Sequence, residues 1–384
     1  MNGNGNGSRN GNGSGSERGL RGTTGPRIST DFAYRGIETA ILENEALRVM
    51  VLTGKGGDIV EFRDKRTDVD VLWRTPHEWT PPRERYVPTA SETAWNEHYP
   101  GGWQVNLPVA GGGWEIDGSA YGIHGESALL PWDAEVVRDD SEAVTLRLTV
   151  DLVRYPFSVE RELTLPAGES RLEIDESVTN LGEVPLEYVW QQHVTLGRPL
   201  LSADARLDFP SATGVNAEYG ADFPNARLEG DATYDWPHSP GRDGGTVDLR
   251  EIPGPDSTIH DQSFLVDLEE GWYALTNPDL DLGFALTFPL DPFECVWYWQ
   301  ALGGYHESPW FNRNYNVGLE PTTAYPGGDV PDAQRANGTM KEIEPGETID
   351  ASFTATTYGG LESVSSVDED GTVEGENGSG NESE

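Results

Sequence analysis

Little of this chain is basic and almost none of it is lysine. Of 26 Lys and Arg residues only Lys55, Lys65 and Lys341 are lysines, against 66 Asp and Glu, for a formal charge of −40. Such a charge repels nucleic-acid phosphates and anionic membrane surfaces, so neither is an expected partner. Cys295 is the only cysteine, which excludes an internal disulfide and a zinc–thiolate cluster. No run approaches the ~20 consecutive apolar residues of a membrane-spanning helix. The N-terminus also lacks the charged-then-apolar order of a secretory signal, so a soluble, cytoplasmic protein is expected.

What is present argues for a real core. Strong acidity with few aromatic residues reads as disorder, but here there are 12 Trp, 14 Tyr and 11 Phe. An acidic, lysine-poor globular chain fits adaptation to molar salt, where a Debye length of about 3 Å makes a dense negative surface tolerable. The two ends differ from the middle. Residues 1–28 are Gly/Asn/Ser-rich and residues 363–384 are acidic and poor in core formers, so both are expected to be disordered tails. Residues 29–362 are expected to form a single domain.

The periodicity of that domain is two. In "AVTLRLTVDL", Val144, Leu146, Leu148, Val150 and Leu152 share one face while Thr145, Arg147, Thr149 and Asp151 share the other, as a half-buried antiparallel strand requires. "FSVERELTLP" and "SRLEIDESVTNLG" follow across short turns and predict a meander. "GWYALT" and "GFALTFPL" flank "NPDLDL" as a hairpin, and "TIDASFTATTYGG" supplies a late strand. No segment longer than ten residues has a helical period, so the fold class is all-β.

Three stretches, "WNEHYPGGWQVNLPVAGGG", "YGIHGESALLPW" and "FECVWYWQALGGYHESPWFNRNYNVGLEP", read as loops that interleave aromatic rings with Asn, Gln, His and acids. Ring faces suit the C–H faces of a pyranose, and amides and carboxylates suit its hydroxyls. Two histidines stand out as candidates for proton transfer. His124 lies between glycines in "GIHGE", and His193 follows an apolar strand-like run in "YVWQQHVTLG". Glu320, in "NYNVGLEPTT", is an acid in a small, apolar, turn-like setting.

A His in an H-G motif, a second His at the end of a central strand and a late Glu in "GLEP", in that order, resemble the galactose-mutarotase-like family of aldose 1-epimerases. The resemblance implies a large antiparallel β-sandwich, the mutarotase-like supersandwich, holding a free monosaccharide or sugar derivative. It implies an isomerase that interconverts α and β anomers by general acid/base ring opening and closing, with Glu320 as base, His193 as acid and His124 either bonding sugar hydroxyls or helping the acid. No electrons move in that reaction, so no cofactor is expected. Trp103, Gln104, Asn106, Trp299, His306 and Asn316 are further candidates for substrate contact. The arginine-containing early motif of galactose-specific members is replaced by "HYPGGWQVNLPVAGGG", which leaves the sugar open. A monomer or homodimer is expected.

Two other readings remain. One is a carbohydrate-binding β-sandwich without turnover. The other is a metal-dependent β-barrel enzyme using His98, His124, Glu126 and His193, in which "HGE" would put two ligands on one face. For the preferred reading no metal is expected.

Overall fold

Alternating apolar residues form strands where the sequence predicts them. In the computed structural model, which describes residues 24–77, 79, 94–116, 118–219, 223–327 and 331–377, strands Ala143–Asp151, Phe157–Pro166 and Arg171–Asn180 form the expected antiparallel meander. Trp272–Asn277 and Leu282–Thr287 form the expected hairpin. The late strand Thr348–Tyr358 joins these two units by pairing with Arg171–Asn180 on one side and Leu282–Thr287 on the other, completing an eight-stranded sheet.

A twelve-stranded sheet faces it. Its central run, in spatial order, is Asp58–Asp64, Trp103–Asn106, Gln191–Gly197, Tyr315–Thr322, Cys295–Leu302 and Ile259–Val266, with every neighbouring pair antiparallel. One continuous core lies between the sheets, joining Leu146, Leu163 and Ile174 of the smaller sheet to Trp103, Val194 and Leu319 of the larger. Each such side chain contributes about 1.5–3 kcal/mol when fully buried. The described α-helices are two short ones, Ala94–His98 and Pro331–Ala336. The fold is therefore an all-β sandwich of two antiparallel sheets, the class expected from the sequence.

Two expectations change. Much of the first and third aromatic-rich stretches is strand rather than loop, because Trp103–Asn106, Cys295–Leu302 and Tyr315–Thr322 lie within them. These strands are buried along nearly their whole length, so they show no apolar/polar alternation, and Gly318 and Pro321 disguise the last of them as a turn. The acidic segment expected as a tail from residue 363 forms, up to Asn377, a hairpin of Leu361–Val367 with Val373–Asn377. Val364 and Val367 bury against Trp272, Ala274 and Ala285, so two spaced valines suffice to dock an otherwise acidic segment. At the other end the first strand starts at Arg27; residues 1–23 and 378–384 lie outside the described residues.

Candidate functional site

Period-two alternation in the strand Gln191–Gly197 sends successive side chains to opposite faces of the larger sheet. Gln192 points into the sandwich, where its Nε2 donates to Glu176 of the smaller sheet. Gln191 and His193 point to the other face. Partners Gln191↔Thr322 and Thr195↔Gly318 share one register, which sets His193 opposite Glu320. No cross-strand partners occur at the three positions between, where Pro321 has no N–H to donate. The ladder is thus interrupted beside the two candidate residues.

His193 Nε2 lies 3.3 Å from Glu320 Oε1, and both side chains are 4% exposed. The other carboxylate oxygen, Oε2, accepts from Gln191 Nε2 at 3.0 Å. A Cβ at position 318 would come within 2.2 Å of Glu320 Oε1, so the glycine makes room for the carboxyl group of its own strand. Burial alone pushes the Glu320 carboxyl well above the usual carboxylate range. Burial, helped by the nearby positive charge of Lys55, pulls His193 down to about 3. Both shifts act in the same sense: burial favours the uncharged carboxyl and the uncharged imidazole over a carboxylate–imidazolium pair.

The pair opens onto a cavity of about 230 Å³. The short helix Ala94–His98 carries Trp95 over it, with ring centroids 5.0 Å from His193 and 4.3 Å from His124. His124 adopts a left-handed backbone (φ 62°), followed by Gly125 at φ 74°. Its ring sits 4.9 Å from that of His193, and its Nδ1 accepts from the Gly111 N–H. Burial, then His193, holds it well below the usual histidine range. Trp299, Trp310, Tyr305 and Phe223 complete the walls, and no Lys or Arg lines the cavity among the described residues.

Of the residues expected to meet a ligand, His193, Glu320, His124 and Trp299 come together here. The others do not. Trp103 has the parity of Gln192 and faces the core, where its Nε1 donates to Gln192 Oε1 and the Arg161 guanidinium lies 5.3 Å from its ring. Gln104 pairs across from His193, but its Nε2 is committed to Asp58, which is bound in turn by the buried Lys55. Asn106 donates to Gln191 Oε1 at 2.8 Å. Asn316 is fully buried away from the cavity lining, and His306 is exposed on the surface. Glu126, a ligand in the metal reading, instead accepts backbone N–H groups of Arg154 and Tyr155. Among the described residues no group of three His, Cys, Asp or Glu side chains is arranged to hold a metal.

Gln191, Phe223 and His260 are not among the residues expected from the sequence, and Trp95, Tyr305 and Trp310 are included there only as parts of the aromatic-rich stretches. His260 lines the cavity, accepts from Trp299 Nε1 at 3.0 Å and stacks on Phe223 at 4.4 Å. Burial, then His306, holds it at about 3. The signal for Gln191 was in the sequence, since it lies two residues before His193 and so on the same face of any strand.

A family described only as a domain of unknown function (DUF4432) matches residues 34–357. No curated protein sequence matches the chain. Solved structures do. A candidate aldose 1-epimerase from Klebsiella pneumoniae is similar with a TM-score of 0.67 at 17% identity, covering 87% of this chain and 83% of that one. A galactose mutarotase-like protein from Clostridium acetobutylicum gives 0.62 at 12% identity, covering 87% and 99%. A candidate aldose 1-epimerase from Escherichia coli gives 0.56 at 15% identity, covering 84% and 100%. At these identities the likeness is one of fold.

Proposed function

We propose that this chain, which belongs to the DUF4432 family, is an aldose 1-epimerase-like isomerase that exchanges the α and β anomers of a free sugar. The observation that carries the reading is the His193–Glu320 pair at 3.3 Å beside an aromatic-walled cavity. The anomeric hydroxyl and the ring oxygen are attached to the same carbon, so a base for one and an acid for the other must stand side by side.

The pair shares one proton. Burial favours the neutral arrangement, with that proton on Glu320; the charged arrangement, carboxylate beside imidazolium, differs only by its transfer to His193 Nε2. Sugar hydroxyls replace the hydrogen bonds lost on burial and favour the charged arrangement. Glu320 then takes the anomeric O–H proton while His193 protonates the ring oxygen, the C1–O bond of the ring breaks, and an aldehyde forms. This step leaves a neutral carboxyl and a neutral imidazole, the arrangement that burial prefers. After C1 turns, the reverse transfers close the ring on its other face. His124 and Trp299 hold the sugar, by hydroxyl contact and ring stacking respectively. The acidic surface suits work in concentrated salt, in the cytoplasm.

Polarimetry of freshly dissolved α-glucose and α-galactose in molar salt tests the reading. Catalysed equilibration by the wild type that is lost in His193→Asn supports it. Equilibration at the buffer rate across a broad aldose panel, with one sugar still bound, returns the chain to the non-catalytic carbohydrate-binding reading.

A further inference from the structure

Glu320 has two oxygens, and the surroundings treat them differently. Oε1 faces His193 Nε2, whereas Oε2 faces the amide of Gln191. Which end of that amide faces Oε2 is decided by its neighbours. The Thr322 hydroxyl donates to the Glu320 carbonyl oxygen at 2.8 Å, so its oxygen is left to accept, and it accepts from Gln191 Nε2 at 3.3 Å. On the far side Asn106 Nδ2 donates to Gln191 Oε1 at 2.8 Å. Both contacts put the N–H end of Gln191 against Oε2. An oxygen that accepts from an amide N–H cannot also turn a proton toward it. The shared proton is thereby confined to Oε1, the oxygen beside His193.

We propose that Gln191, oriented by Thr322 and Asn106, is a positioning residue that keeps Oε1 as the reactive oxygen of Glu320 and stabilises the carboxylate form through Oε2. This rests on the acid/base reading of the pair given above. Gln191 is not among the residues lining the cavity; it acts through Glu320. The need for it follows from what surrounds the carboxyl. His193 and His124 are held neutral by burial, and Tyr99 and Tyr273, whose phenols sense the Glu320 charge, are held protonated by burial. Lys55 is bound to Asp58 behind the Trp103–Asn106 strand. Gln191 is the side chain whose N–H donates to this carboxyl among the described residues, His193 Nε2 lying 3.3 Å from the other oxygen.

Gln191→Met keeps the length of the side chain and removes the donor. The expected result is a roughly ten- to hundredfold fall in kcat, the size of one hydrogen bond to a charged group, with KM nearly unchanged and the limb of the pH–rate profile due to Glu320 displaced upward. Asn106→Ala, which leaves the donor but frees the amide, moves both readouts the same way by less, and serves if the methionine variant does not fold. A wild-type pH profile in both folded variants overturns the proposal. So does an equal loss in kcat and KM without displacement of the profile. A 13C-NMR titration of the Glu320 carboxyl, assigned with Glu320→Gln, separates this proposal from the isomerase reading. An upward shift in Gln191→Met supports the positioning role even where no sugar is turned over, and an unmoved titration rejects it even in an active enzyme.

Discussion

Neighbouring glutamines on one strand serve two buried glutamates on opposite sides of the same sheet. Gln192 donates to Glu176 between the sheets, and Gln191 donates to Glu320 beside the cavity. What differs is the second partner. Arg161 lies 2.8 Å from Glu176 and both side chains are fully buried, so a permanent cation matches the acid. Glu320 has a histidine instead, and burial keeps that histidine neutral. Buried acidity is thus compatible with either a structural or a chemical role. A guanidinium fixes the charge state, whereas an imidazole leaves one proton free to move.

The contrast is broken most strongly at its chemical end. Glu320→Gln is expected to lose roughly 10²–10⁴ in isomerisation rate, the usual worth of one catalytic proton transfer, while circular dichroism and melting show an intact fold. Glu176→Gln is expected to do the reverse. It strands Arg161 as an unmatched buried cation and costs about 3–5 kcal/mol, read as a lower midpoint in urea, while turnover per folded molecule is kept. Comparable loss of both stability and rate in each variant would erase the distinction.

Acid sharpens it. His124, His193 and His260 are all held below the usual histidine value of about 6.5 by burial. The unfolded chain therefore takes up protons that the folded chain refuses, and stability falls as pH drops from about 6.5 toward the depressed folded values. Melting temperature against pH checks this, and His260→Gln should flatten the acid side of the curve. Glu320 has the opposite sign. Its raised folded value means that stability contributed by the protonated acid is lost as pH rises from about 4.3, and Glu320→Gln should remove that loss. The smallest effect is expected at His306→Ala, an exposed position, with stability changed by no more than about 0.5 kcal/mol and wild-type turnover.

Much of this was legible in the sequence where one face of a strand is wet. The meander from Ala143 to Asn180 alternates visibly, and the Trp272–Thr287 hairpin, buried on both faces, is marked instead by the turn residues between its two apolar runs; both are where the sequence puts them. The central strands of the larger sheet were hidden because both faces are buried and because Gly318 and Pro321 carry turn chemistry into a strand. Their turn-like look has a cause: the glycine clears the carboxyl group of Glu320, and the proline coincides with the gap in the ladder. Residue type and order single out His193, Glu320, His124 and Trp299, and these four line one cavity. Trp103 was misassigned for want of strand parity, which only the sheet reveals. Gln104 and Asn106 have the right parity but are used beneath the cavity, by Asp58 and Gln191. The pairing of Thr348–Tyr358 with two distant strands, and the docking of Val364 and Val367, depend on contacts between residues far apart in the chain that no local pattern encodes.

The central claim is that Glu320 and His193 exchange protons with an anomeric centre. Magnetisation-exchange NMR between the α and β C1–H signals of a panel of aldoses in molar salt tests it most directly. The account predicts catalysed exchange for at least one sugar with the wild-type protein, slowed roughly 10²–10⁴-fold in Glu320→Gln even though that sugar still binds. Undiminished exchange in Glu320→Gln would contradict it.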